Sequence, residues 1–192
     1  MRGEPDLTPV TMTAMHDPAT PIPDEKDWTW VLERQCPECG FDPAGIEATA
    51  VADLLRQNTT EWERILAGSE DDVCRRPAPT TWSPLEYACH VRDVHVLYLE
   101  RLELMLNEDG PHYPNWDQDE TAIAQRYHEA NPAAVADELR AASDALADRF
   151  DQVTEDEWQR TGYRSDGAAF TVTTFATYFI HDPIHHLHDS TS

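Results

Sequence analysis

Near the C-terminus the chain reads YFIHDPIHHLHD, and at its other end CPECG, the two stretches richest in metal-ligating side chains. Residues three or four apart share one face of a helix, so Thr174, Tyr178, His181, His185 and His188 line one side of any helix formed there. His181 and His185 form an HxxxH pair. Two imidazoles one turn apart bind a single ion together, and Zn²⁺, Ni²⁺ and Fe²⁺ all accept that ligand. HxxxH alone also describes an ion-free pair in a histidine-rich helix.

The CPECG run places Cys36 and Cys39 as one half of a zinc ribbon, without a second CxxC to complete it. Three readings stand for this pair: a second structural metal, a redox-sensitive dithiol, or packed free thiols. Cys74 and Cys89 are isolated in sequence, and Cys89 neighbours His90. Beside Tyr87, Val91, Val94 and Tyr98, His90 falls on an apolar helical face. There it reads either as a ligand or as a core histidine satisfied by one hydrogen bond.

The elements that position these groups follow from caps and apolar spacing. Residues 1–26 are rich in proline, threonine and acids and lack periodic apolar positions, the composition of a disordered tail. Residues 27–43 carry two tryptophans, Val31, Leu32 and Phe41 around the CxxC pair and are expected to pack as an arm. Residues 44–192 form the helical domain. Asp42 and Pro43 give a cap and first-turn signal for a helix ending near Gly68. The run Ser83-Pro84-Leu85-Glu86 is a capping box opening a second helix to about residue 106. Asn131 and Pro132 open a third, ending near Val153, and a fourth spans about residues 171–188. Pro183 sits inside that last helix, where it removes one backbone hydrogen bond and should bend the chain. A short helical piece is expected between Glu120 and Glu129, and Gly162 and Gly167 mark a turn or hairpin. Four amphipathic helices without convincing strands predict an all-α four-helix bundle with an N-terminal arm.

Fourteen basic against 37 acidic residues give a formal charge of −23, which repels phosphate backbones and anionic lipids. Nucleic acid and membranes are therefore not expected as partners; a small-molecule substrate is, in a monomer or homodimer. No apolar run nears the roughly 20 residues that span a bilayer, and no secretion signal opens the chain, so a cytoplasmic protein is expected.

TTWSPLEYACHVRDV in the second helix together with YFIHDPIHHLHD in the fourth resembles the DinB-like family of four-helix metal proteins, over residues 44–188. That family includes mycothiol- and bacillithiol-dependent S-transferases and maleylpyruvate isomerases. The resemblance implies a divalent metal, zinc first with nickel or iron as alternatives, on His90, His181 and His185. Relatives follow HxxxH with Arg-Gly-Gln, where this chain has His186-Leu187-His188-Asp189. Three neutral ligands leave an open position for a thiol or water. The resemblance implies a low-molecular-weight thiol as cosubstrate, bound as thiolate to attack an electrophile in transfer or isomerisation. The alternatives are a metal-dependent hydrolase using bound water and a non-catalytic stress-associated or small-molecule-binding protein. Asp93 and Asp182 are candidates for handling protons or orienting ligands, and Arg164 for binding a substrate carboxylate.

Overall fold

The computed structural model describes residues 27–191; the tail expected over residues 1–26 lies outside them. Four long helices make the bundle: α1 (Val51–Leu66), α3 (Pro84–Asn107), α5 (Pro132–Asp151) and α6 (Val172–Thr191), with short helices α2 (Glu70–Cys74) and α4 (Gln118–Ala124) between them. α5 and α6 each pack against both α1 and α3. Around the bundle the order is therefore α1, α5, α3, α6, and α1 faces α3 across the diagonal. Among the described residues no helix is long and apolar enough to cross a membrane.

The strongest sequence signal is met at the start of α3. Ser83 Oγ accepts from the Glu86 amide, while the Glu86 carboxylate accepts from the Ser83 amide at 2.8 Å. Glu86 is buried and also receives the Arg76 guanidinium, with Nε at 2.8 Å. Asn131 caps α5 through the Ala134 amide in the same way.

The first helix starts later than expected. Asp42 does cap a turn, accepting from the Ala44 amide, but only the 3₁₀ turn Pro43–Gly45 follows. The chain re-extends at Ile46 and Glu47, and α1 opens from a second 3₁₀ turn, Ala48–Ala50. Glycine in the first turn is a poor propagator of helix, so the cap nucleates one turn and no more. α6 instead runs unbroken through Pro183, whose carbonyl accepts from Asn58 Nδ2 of α1 at 2.9 Å.

The expected turn is a hairpin, β2 (Thr161–Arg164) and β3 (Ala169–Thr171), and a strand not expected, β1 (His112–Tyr113), pairs parallel to β2. Two residues are too few for alternation to show in sequence. Gly162 is required where β2 crosses α3: a Cβ there would sit 2.7 Å from Met105 Cγ. The hairpin matters because it carries Arg164. On the other side the arm, with its 3₁₀ helix Trp28–Leu32, lies against α6, burying Val31, Cys36 and Phe41.

Glu86 is held below the usual carboxylate range: burial works to raise it, and the Arg76 and Ser83 hydrogen bonds outweigh that. A depressed folded pKa contributes stability above the unfolded value, about 4.3, that is lost as pH falls through the folded one. Glu86→Gln should therefore cost about 3 kcal/mol at pH 7 by removing the carboxylate charge that the Arg76 guanidinium meets. It should also flatten the loss of stability below pH 5, both read from urea unfolding followed over pH.

Candidate metal centre

Two groups of metal-ligating side chains meet at the arm-facing end of the bundle. One is His90, Asp182 and His186; the other is Cys36, Cys39, His181 and His185. In each, one ligand atom per residue lies within 4.8 Å of every other. The set expected from sequence, His90 with His181 and His185, is thus divided between two clusters.

The division follows from the rotation of α6. Phe179 packs on His95 and Tyr98 of α3, and Phe175 on Tyr98, so the Phe175–Phe179 stripe faces α3. Continuing that stripe by three and seven residues reaches Asp182 and His186, which therefore meet His90. His181 and His185 lie one residue back, about 100° around the helix, and face the arm. There Trp28 lies 5.4 Å from the His181 ring and 5.0 Å from the His185 ring, with Phe41 5.2 Å from His181.

His90 is fully buried, and neither ring nitrogen has a hydrogen-bond partner; Asp182 Oδ1 is buried and unpartnered as well. Their closest approach, His90 Nε2 to Asp182 Oδ1, is 3.5 Å. Two ligand atoms about 2.1 Å from one ion at the tetrahedral angle stand about 3.4 Å apart. The spacing and the unmet polar atoms fit a divalent ion between them. His186 completes the set: its ring lies 4.7 Å from that of His90, Nε2 is 3.8 Å from Asp182 Oδ2, and Nδ1 meets Asp189 Oδ2 at 3.2 Å. That carboxylate is placed to accept a proton from Nδ1, which would leave the Nε2 lone pair toward Asp182 and His90, the arrangement by which outer carboxylates orient metal-binding histidines.

Burial pushes the His90 imidazole down, against the weaker pull of Asp182. At Asp182 burial works upward, but His90 and His186 outweigh it and hold the carboxyl well below the usual range. A neutral imidazole beside an ionised carboxylate is the protonation state a divalent ion needs. Trp116 stacks on His90 at 5.4 Å and 17°, Trp82 leans on it, and Tyr87 stacks on His186, so aromatic walls surround the group.

Asp182 and His186 open onto a cavity of about 950 Å³, also lined by Arg101, Arg164 and Tyr178. Arg164 donates to Tyr178 and to Asp166, which leaves its planar guanidinium at the wall of the cavity. Asp93, in contrast, does not line that cavity: it accepts from Tyr127 at 2.5 Å and from Arg92 at 2.8 Å, fastening α3 to the turn Tyr127–Glu129. His188 is exposed. His95, one turn past Val91 and unremarked in the sequence reading, is buried without partners for either nitrogen, and burial pushes it down to about 3.

The sequence expectation did not group His186 with His90, as the structure does. The signal was present: a polar pair, Asp182 and His186, stands where the Phe175–Phe179 stripe calls for apolar residues.

Residues 52–190 match the family model described as the DinB superfamily. The fold is similar to that of YfiT from Bacillus subtilis, described as a probable metal-dependent hydrolase with an unusual four-helix bundle topology. The two share 15% identity with a TM-score of 0.68, over 82% of this chain and 91% of that one. No curated protein matches the chain significantly.

Asp189→Asn keeps size while removing the charge that orients His186. It should weaken zinc at the His90 cluster by 10- to 100-fold. His186→Ala should abolish that site while His181→Ala leaves it, as competition titration with a chromophoric chelator will show.

Proposed function

The chain belongs to the DinB superfamily, and on that premise we propose that it is a metal-dependent hydrolase whose ion sits on His90, Asp182 and His186. The observation that carries this reading is a two-histidine, one-carboxylate set in which His90 is buried and Asp182 and His186 line a cavity large enough for a small molecule. Two histidines and a carboxylate form the ligand set of hydrolytic zinc sites, with a position left for water. The description of YfiT as a probable metal-dependent hydrolase points the same way.

A divalent ion held there supplies Lewis acidity toward a carbonyl oxygen and lowers the pKa of water to about 7. The chain's own groups do the rest. Asp189 is placed to fix the His186 tautomer, and the rings of Trp82, Trp116 and Tyr87, which line the same cavity, limit water beside the ligands. One carboxylate ligand leaves the loaded site with a single net positive charge, which favours anionic or developing-anionic groups beside it. Arg164, on the cavity wall and paired with Asp166 and Tyr178, brings positive charge toward a substrate carboxylate. The substrate class that follows is a small ester or amide bearing a carboxylate.

Such substrates should be turned over by the zinc-loaded protein, not after chelation, and again after zinc is restored. His186→Ala should lower kcat/KM about 10³-fold, the equivalent of about 4 kcal/mol of charge stabilisation. Arg164→Gln should raise KM for acidic substrates about tenfold, as expected for one lost charge-assisted contact. Turnover that persists through chelation would sink the reading, and turnover only in the presence of an added low-molecular-weight thiol would replace it with thiol-dependent transfer.

A further inference from the structure

The cluster of Cys36, Cys39, His181 and His185 takes no part in the chemistry just described, and its two cysteines precede the residues that match the family. We propose that these four side chains hold a second, structural zinc ion that fastens the arm to α6.

Ligand type and number come first. Two cysteines and two histidines are the full tetrahedral complement of a structural zinc, leaving no position for substrate. Cys36 is buried and Cys39 half-buried, and both are free thiols. Cys36 Sγ stands 3.7 Å from His185 Nδ1. Sulfur and nitrogen bound to one zinc at about 2.3 and 2.05 Å, at the tetrahedral angle, are about 3.6 Å apart. His181 Nε2 is buried and lacks a partner.

The surroundings support the same ion. The far side of the His185 ring, Nε2, faces Glu38 Oε2 at 3.5 Å and Asp189 Oδ2 at 3.6 Å. A carboxylate behind one ring nitrogen holds the proton there and frees the other as a ligand, which here is the nitrogen facing Cys36. The turn that presents the sulfurs is closed by the backbone. The Gly40 amide donates to the Cys36 carbonyl at 2.9 Å, the Cys36 amide donates to the Phe41 carbonyl at 2.8 Å, and Gly40 adopts φ 78°. The left-handed φ explains why glycine follows Cys39.

Charge closes the argument. Zinc displaces two thiol protons to solvent, and two thiolates with two neutral imidazoles exactly balance its charge, so the loaded site is neutral and suits a buried seam. A Cys36–Cys39 disulfide, the competing fate of a CxxC pair, would leave both histidines unused.

Metal-free full-length protein titrated with Co²⁺ should develop thiolate-to-cobalt charge-transfer bands that added Zn²⁺ removes. Zinc should shield two of the four thiols from a thiol reagent until a chelator is added, and should raise Tm by roughly 10 °C. Cys36→Ser/Cys39→Ser should lose the bands and one equivalent of zinc. His186→Ala should keep the bands while losing the other equivalent, so this site and the hydrolytic one are read separately. Should the double variant fail to fold, the wild-type cobalt spectrum and thiol protection decide alone. Cobalt-loaded wild type without charge-transfer bands, or thiols equally reactive with and without zinc, would overturn the proposal.

Discussion

The rotation of α6 about its own axis decides which side chains can meet. Each residue along a helix advances about 100°, and HDPIHH carries two overlapping pairs at i,i+4, His181 with His185 and Asp182 with His186. Both pairs are spaced to share an ion. Which of them faces His90 is settled by residues with no chemistry of their own: Phe175 and Phe179 are fully buried against Tyr98. Turning the helix by one residue would withdraw two large aromatic side chains from the core, a loss of several kcal/mol. Apolar packing therefore sets the ligand geometry, and the polar groups accept the positions it leaves them.

Asp189 links the two clusters. Its Oδ2 lies 3.2 Å from His186 Nδ1 and 3.6 Å from His185 Nε2, one histidine from each group. Burial works to raise the Asp189 carboxyl, and the hydrogen bond from His186 with the field of His185 outweighs it. An ionised carboxylate can orient both rings, each with its proton on the side of Asp189 and its lone pair on the side of its own cluster. The two clusters nevertheless differ in chemistry. Around a divalent ion His90, Asp182 and His186 would be an incomplete set with residual positive charge, whereas the cysteine cluster would be a complete and neutral one.

Much of the fold was legible in the sequence because its signals are local. The Ser83–Glu86 box, the Asn131-Pro132 start and the glycines of the hairpin each act within a few residues, and each stands where expected. Asp42 shows the limit: its cap hydrogen bond forms, but whether a helix continues depended on Gly45 and on the chain re-extending at Ile46. The four-helix architecture that the apolar spacing and the family resemblance implied is the architecture found. The site was less legible. Histidine spacing alone cannot choose between adjacent helical faces: the Thr174–Tyr178 stripe continues to His181 and His185, and the Phe175–Phe179 stripe to Asp182 and His186. The union of the cysteines with those histidines was beyond reach, since Cys36 and His185 are separated by 149 residues and meet only through tertiary packing.

That packing gives the arm a place in the chemistry as well as in the fold. Trp28 touches His181 and His185 on one side and lines the cavity on the other, next to Glu38 from the CPECG turn. The arm is thus one wall of the space where a substrate would sit. Val31, Cys36 and Phe41 are buried, and Trp28, Trp30, Leu32 and Cys39 pack partly buried against the core beside them. A metal clasp at Cys36, Cys39, His181 and His185 would act at the point where arm and α6 meet, and so would hold Trp28 and Glu38 in place on the wall of the cavity that opens beside His186.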